Sequence, residues 1–341
     1  MNTTTYGLDI AKGVFQLYWV EPSGECFNRR FTHQALLNFL AKRAPGRVAL
    51  EACGSAHWWA RQLAALGHKP VLLHAAFVRP FVQTNKTDVA DAKAIWTAVH
   101  QPGMRQVAPK TETQQAILAL HAFRTLRVKA RTMLVNQLRG TLFEFGARFR
   151  RGRRAGLEEI RQHMAELEQQ LPRVLFDSVC DQLQSIARLD EEIGQIEIRL
   201  NSWLKEDHDC QTVAAIPGIG PLTATALVAT IGNVHTFRSG RQLAAFLGLV
   251  PRQRGTGGKV NLGGISKRGD TYLRTLLIHG ARVVLSHLRR KGQSHWGTTL
   301  VQRRPANVVG VAMANKMART AWAVLAHNRT YDRDYVSVRP A

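Results

Sequence analysis

Apolar, aromatic and β-branched positions gather over residues 4–10, 13–20 and 25–31, with the turn residues Pro22-Ser23-Gly24 between the last two, and this predicts three strands. Helical spacing follows near 33–43, then an apolar strand at 47–51, a helix at 56–66, a strand at 70–74 and a helix opening at Thr87. Three antiparallel strands followed by alternating helices and strands is the order of an RNase H-like α/β fold, and pattern alone leaves other α/β folds open.

The pattern then turns helical. Ile117, Leu120, Phe123, Leu126, Met133, Leu134, Leu138 and Leu142 predict one long helix from about Thr113 to Phe145, with Arg124, Arg127, Arg131 and Arg139 interspersed. Gly152 and Gly156 break it among four arginines, and a short helix stops by Pro172. Leu189, Ile193, Ile196, Leu200 and Trp203, spaced four, three, four, three, form a heptad seam with acids on its flanks. The seam fits an intramolecular helical hairpin and an intermolecular coiled coil about equally; we expect it to hold subunits together. The last third reads Ala-Ile-Pro-Gly-Ile-Gly at 215–220, a helical run to Ile231, a helix near 239–247, a glycine-rich loop at 255–264, and helices from about Thr271 to Leu285 and near 306–327.

A chain of 341 residues has room for two or three domains. Its net charge of +23 exceeds what solubility needs and implies a polyanionic partner. Lys and Arg outnumber Asp and Glu by 19 to 8 in residues 1–149 and by 19 to 3 in 235–341, but trail by 9 to 13 in 150–209. Two nucleic-acid-facing modules joined by a segment that faces protein would give that distribution. Cys26, Cys53, Cys180 and Cys210 form no Cys-x-x-Cys pair, so reduced thiols are expected. The N-terminus lacks a basic start and an apolar run, and no stretch of about 18 apolar residues occurs. A soluble cytoplasmic protein with no membrane partner is expected.

Against this basic background the acids stand out. Half of the eight acids in residues 1–149 are Asp9 in Tyr-Gly-Leu-Asp-Ile, Glu51 in Val-Ala-Leu-Glu-Ala, and Asp88 and Asp91 in Thr-Asp-Val-Ala-Asp-Ala. A carboxylate ending an apolar strand loses water at a cost of several kcal/mol unless a cation compensates. Mg²⁺, a hard cation that prefers oxygen ligands, is the economical choice. Thr87 can cap the helix that opens there, so Asp88 and Asp91 share a face of its first turn. The set could hold two ions roughly 3.5–4 Å apart, which suggests cutting or joining nucleic acid. Taken alone, Asp88 and Asp91 are ordinary helix N-terminal acids.

Ile216-Pro217-Gly218-Ile219-Gly220 matches a helix-hairpin-helix turn, whose glycines, Gly218 and Gly220, let backbone approach a phosphate, although such turns also join helices that never touch DNA. Residues 251–270 fail the P-loop pattern, because Val260 follows Gly258-Lys259 where Ser or Thr is needed, so nucleotide hydrolysis is not indicated. Five glycines in 255–264, Gly257 and Gly258 among them, suit close approach to a ligand, and Arg252, Arg254, Lys259, Lys267 and Arg268 surround them with positive charge. Thr256 puts a hydroxyl in this cradle, where a turn threonine is ordinarily structural. The thirteen histidines show no metal-binding spacing.

Three features in this order resemble one family: the Asp9, Glu51, Asp88, Asp91 set with Asn-Lys-Thr-Asp-Val-Ala-Asp-Ala at 85–92, the Ile-Pro-Gly-Ile-Gly turn, and the block at 248–274 that ends in Leu-Arg, with Arg274 last. The chain is similar over nearly its whole length to the DEDD-type insertion-sequence transposases of the one-ten and eleven-eleven group, related to the Piv DNA invertases. The resemblance implies a RuvC-like DEDD domain at 1–109, a helical coiled-coil segment at 110–207 and a mainly helical C-terminal transposase domain at 208–341. It also implies a nucleoid-associated, tetrameric recombinase, a dimer of dimers, acting on double-stranded donor and target DNA under a structured bridge RNA. In the family a loop hydroxyl attacks the DNA phosphate while the acid set supplies Mg²⁺. The family residue is usually serine before a glycine; the matching position is Thr256, whose extra methyl restricts its rotamers, and Ser266 is the reserve candidate. The rival expectations are a junction-resolving or RNase H-like nuclease that uses water, and a non-enzymatic nucleic-acid-binding protein.

Overall fold

The computed structural model describes residues 3–82, 87–293 and 295–333. The chain forms two compact units, residues 1–112 with 231–238 and residues 113–230 with 239–341. Asn85 and Lys86, which open the 85–92 motif, lie outside the described residues.

The first unit is built on β1 (Thr5–Ile10), β2 (Phe15–Val20), β3 (Cys26–Phe31), α1 (His33–Ala41), β4 (Arg47–Glu51), α2 (Ala56–Ala65), β5 (Lys69–Leu73), α3 (Ala75–Val78), α4 (Asp88–Val99) and β6 (Gln106–Val107). Its six-stranded sheet has the order β3-β2-β1-β4-β5-β6. The β1, β4 and β5 neighbours are parallel, and the other pairings are antiparallel. Alternation sorts the side chains to two faces. Tyr6, Leu8, Leu17, Val48 and Leu50 bury against Leu36, Leu40, Trp59 and Leu63 of α1 and α2, while Ala49, Val71 and Leu73 bury against Ile95 and Ala98 of α4. The sheet is therefore covered by helices on both faces, as its central apolar strands require. The two-residue β6 and the one-turn α3 are too short to carry a readable pattern and were not expected.

The second unit contains α5 (Glu112–Glu144), α6 (Arg153–Gln162), α7 (Met164–Gln170), α8 (Arg173–Glu206), α9 (His208–Ala214), α10 (Pro221–Ile231), α11 (Gly240–Phe246), β7 (Pro251–Thr256), β8 (Lys259–Ile265), α12 (Thr271–Arg290), α13 (Trp296–Val301) and α14 (Ala306–Ala326). The mixed α/β sheet and the helical region match the expected α/β plus α composition. Helices α5 and α8 run antiparallel, because the ion pairs Arg124–Glu197, Arg127–Glu192 and Arg131–Asp190 climb one helix as they descend the other. The acids of the central segment thus face arginines of their own chain. At one end Val135, Leu138 and Leu142 of α5 join Leu157, Ile160, Leu167, Phe176, Leu183 and Ile186 in one core. At the other, Ile117 packs with Ile196, Leu200 and Ala229.

This corrects the expectation that the 189–203 seam holds subunits together. Ile193, Ile196 and Leu200 are buried within the chain. A heptad pattern states that a stripe must be covered, not by which helix, and here the covering helix is intramolecular.

Candidate functional site

Strands β1 and β4 lie side by side and parallel with Leu8 opposite Leu50. One residue further, Asp9 and Glu51 leave the ends of adjacent strands on the face covered by α4, because each is two residues beyond a position of that face, Gly7 and Ala49. Helix α4 brings the other two acids. The Thr87 hydroxyl oxygen accepts from the Ala90 N–H at 3.2 Å, and Asp88 and Asp91 occupy the first turn. Glycine sets how deeply this helix sits: a Cβ on Gly7 would lie 2.3 Å from the Ala92 carbonyl oxygen and 2.7 Å from the Trp96 nitrogen. Polar contacts fix its rotation. Asn28 Nδ2 donates to the Val89 carbonyl at 3.1 Å, and Trp96 Nε1 donates to the Thr5 carbonyl at 3.0 Å.

Asp9 feels the other three acids. Burial first, then the charges of Asp91, Asp88 and Glu51, push the Asp9 carboxyl up to about 6, against a lowering backbone hydrogen bond at Ile10. Burial together with Glu51 and Asp9 also raises the Cys53 thiol. Among the described residues no ion pair engages any of the four acids. Nor do three His, Cys, Asp or Glu side chains converge closely enough to hold one ion, among the described residues. The chemistry of the donors nevertheless suits a hard divalent cation: all four are carboxylates, the charges of three act on Asp9, and among the described residues no basic side chain pairs with any of them.

The cationic segment lies in the other unit and is not the loop expected. It is a β-hairpin, β7 and β8, closed by a two-residue turn at Gly257 (φ 56°) and Gly258 (φ 78°). Positive φ at both turn positions is what a tight hairpin of this twist demands, so the glycines serve the turn. The register places Arg254 opposite Asn261 and Thr256 opposite Lys259, with Gly255 opposite Val260 and Gln253 opposite Leu262. Alternation then gives one polar face carrying Arg254, Thr256, Lys259 and Asn261, and one face carrying Val260 and Leu262. All of Arg252, Arg254, Thr256, Gly257, Gly258 and Lys259 are exposed, as are Lys267 and Arg268 beyond the hairpin. Ser266 is half-buried, and its N–H donates to the Val250 carbonyl at 2.8 Å.

Arg274 departs from the rest. It is buried at 7 % exposure and donates to the carbonyls of Leu247 and Arg268 and to the Thr271 hydroxyl, at 3.0–3.2 Å. Its guanidinium ties the base of the hairpin to α12 and is not part of the exposed cationic surface. Gly218 has a packing reason as well, since a Cβ there would meet Val284 and Met317 at 2.9 Å, whereas Gly220 is exposed and open.

Residues 210–296 match a family model described as the transposase IS116/IS110/IS902 family, and residues 6–146 match a DEDD transposase model of the same group. A probable family 20 transposase of Pseudomonas aeruginosa is 45 % identical over 97 % of this chain and 99 % of its own length. The chain belongs to the IS110-type transposases. The transposase for insertion sequence element IS1111A of Coxiella burnetii is 42 % identical, with 95 % of this chain and 90 % of the relative covered. A pilin gene-inverting protein of Moraxella bovis is 28 % identical over 46 % of this chain and 48 % of its own. This transposase is accordingly an enzyme that cuts and rejoins DNA, and the expected family is the one found. Among its described residues no helix is long and apolar enough to cross a membrane.

Two contributors to the acid site of the transposase escaped the sequence reading. Gly7 carried a signal, being a glycine inside an apolar strand two residues before an acid. Asn28, on a strand two places away, carried none.

Proposed function

We propose that this transposase has an RNase H-like, RuvC-like N-terminal domain and recombines DNA through a transient phosphoester between Thr256 and the DNA. The observation that carries the reading is the juxtaposition of Asp9 and Glu51 at adjacent strand ends with α4 seated against Gly7. In this reading the Thr256 oxygen forms a bond to a backbone phosphorus while the bond to the leaving sugar oxygen breaks, and that oxygen takes up a proton. Arg254 and Lys259, on the same hairpin face, hold the phosphate and oppose its charge. Asp9, Glu51, Asp88 and Asp91 would hold Mg²⁺, which supplies charge neutralisation at the reacting phosphate when bound. Arg252, Lys267 and Arg268 grip flanking phosphates, Gly218 and Gly220 present backbone to the duplex, and Ser266 is the alternative nucleophile.

Guidance by a structured bridge RNA, assembly as a dimer of dimers and action at the nucleoid are supported by the family resemblance carried by the 85–92 and 248–274 blocks. The net charge of +23 agrees with nucleic-acid partners. The test is to mix the protein, its co-purifying RNA, Mg²⁺ and labelled DNA spanning an element end, then denature. A protein-linked strand is the expected product. Cleaved DNA with no linked protein would instead make the enzyme a nuclease that uses water.

A further inference from the structure

The turn between α5 and α6 holds five arginines within seven residues, Arg148, Arg150, Arg151, Arg153 and Arg154. Two are engaged by acids, Arg150 by Glu159 at 3.7 Å and Arg153 by Asp190 at 2.8 Å. Arg148, Arg151 and Arg154 are exposed and, among the described residues, pair with no carboxylate. The same tip holds two phenylalanine rings in water, Phe143 at 54 % and Phe145 at 47 % exposure. They are held in place, not frayed: Leu142 is fully buried, and α5 ends in hydrogen bonds from Gly146 N to Phe143 O and from Ala147 N to Leu142 O, both 3.0 Å. The Arg148 guanidinium lies 5.3 Å from the centroid of the Phe143 ring.

We propose that this tip is a docking site for single-stranded DNA. Three guanidiniums with no carboxylate partner among the described residues attract a polyanion, and their paired N–H donors match the oxygens of a phosphate. Charge alone would suit duplex or single strand. The rings discriminate, since a duplex hides its base faces in the stack while an unpaired strand offers them to an exposed aromatic. An acidic protein partner would engage the arginines but would bring no run of planar bases to stack on the rings. Strand cutting and rejoining, the activity of the family, generates unpaired strands as it proceeds. The inference needs DNA as the substrate but neither Thr256 nor the acid set, so it stands apart from the covalent mechanism.

Fluorescence anisotropy of the full-length protein with an oligothymidylate of about 15 nucleotides, and with a duplex of equal length, tests it. Phe143→Ala with Phe145→Ala should weaken single-strand binding about tenfold and duplex binding less than about twofold. Replacing Arg148, Arg151 and Arg154 by Ala should flatten the dependence of log affinity on log salt by roughly 2 for the single strand. Replacing Arg289, Arg290 and Lys291 instead should flatten it less. Equal losses for single strand and duplex in the phenylalanine variant, or no loss, overturn the proposal. So do equal slopes in the two cationic variants, or a preference above about tenfold for oligouridylate, which would assign the tip to RNA. The same titration on Thr256→Ala keeps the question separate from catalysis, because binding without adduct leaves this site standing.

Discussion

The carbonyl oxygen of Ala92 lies so near the α-carbon of Gly7 that a methyl group on that carbon would come within 2.3 Å of it. Helix α4 therefore rests on the backbone of β1, and the first turn of the helix is brought to the end of the strand where Asp9 emerges. Gly7→Ala must push the helix outward. Overpacking of this kind costs about 1–3 kcal/mol. We expect that loss in denaturant unfolding, with a larger proportional loss of recombination because Asp88 and Asp91 move with the helix. Wild-type recombination in Gly7→Ala would show that the α4 seat does not set the site.

Asp9→Asn separates stability from function. The Asp9 carboxyl titrates near 6 in the fold and near the ordinary 3.8 unfolded, so the folded state binds the extra proton between those values and loses stability as pH rises through them. At pH 7 without divalent metal, Asn should therefore stabilise the protein by roughly 1 kcal/mol once solvent screening is allowed for. The same variant should lose recombination and most of the Mg²⁺-induced rise in melting temperature. A variant that recombines normally would remove Asp9 from the site. Glu51→Gln, Asp88→Asn and Asp91→Asn should likewise abolish recombination while leaving fold and RNA binding intact.

Acid should loosen the second unit through His121. Its Nδ1 lies 3.0 Å from the Tyr272 hydroxyl and its Nε2 3.0 Å from the Thr225 hydroxyl, tying α5 to α12 and α10. The Thr225 hydroxyl donates to the Pro221 carbonyl, so its oxygen accepts from Nε2–H, and neutral Nδ1 accepts from Tyr272. Burial, then the Arg124 charge, pulls the ring down to about 4 from its ordinary 6.5. The unfolded chain therefore binds more protons between these values, and stability is complete above about 6.5 and lost as pH falls towards 4. His57, lowered to about 4 by burial and by Lys110 and Arg61, adds to the slope, while Asp9 opposes it. The difference in unfolding free energy between wild type and His121→Gln, measured from pH 7 to 4, should shrink as pH falls. A constant difference would mean that His121 is not held neutral.

Disrupting the α8 seam should unfold the protein, not dissociate it. Leu200 is fully buried beside Ile117, Ile196 and Ala229, so Leu200→Ala should cost about 2–5 kcal/mol at any protein concentration. Light scattering of the variant, while folded, should return the wild-type mass. A smaller folded species would restore the seam to the subunit interface.

What was legible in the sequence was legible through burial. Leu8 and Leu50 are the last fully buried residues of their strands, so the sequence itself marks Asp9 and Glu51 as strand-end acids. Thr87 before Asp88 announced a helix start, and the Thr87 cap is present. The β7–β8 hairpin is marked more weakly: only Val260 and Leu262 alternate with polar residues, both lie exposed, and five glycines in 255–264 give the segment the composition of a loop. Arg274 looks in sequence like one more surface cation, since sequence does not reveal that its guanidinium donates to two carbonyls and a hydroxyl within the chain. His121 gave no warning either, its partners lying 104 and 151 residues away.

Thr256 stands at the last ladder pair of β7, opposite Lys259 and on the face that carries Arg254. The ladder sets the direction in which a strand-end side chain leaves the backbone, and the turn at Gly257-Gly258 puts Thr256 at the hairpin tip. Thr256→Ser keeps the oxygen and removes the methyl that restricts its rotamer, so recombination should be retained or raised. Thr256→Ala removes the only nucleophilic atom of that residue and should cut recombination by at least about a thousandfold and abolish the protein–DNA adduct, with DNA binding unchanged. Lys259→Ala should weaken binding and slow the reaction without abolishing the adduct, because the proposed mechanism gives Lys259 a charge to supply and no bond to form. Peptide mapping of the trapped complex provides the check. A nucleotide found on Ser266, whose half-buried backbone is tied to Val250, would transfer the nucleophile from the hairpin tip to its base.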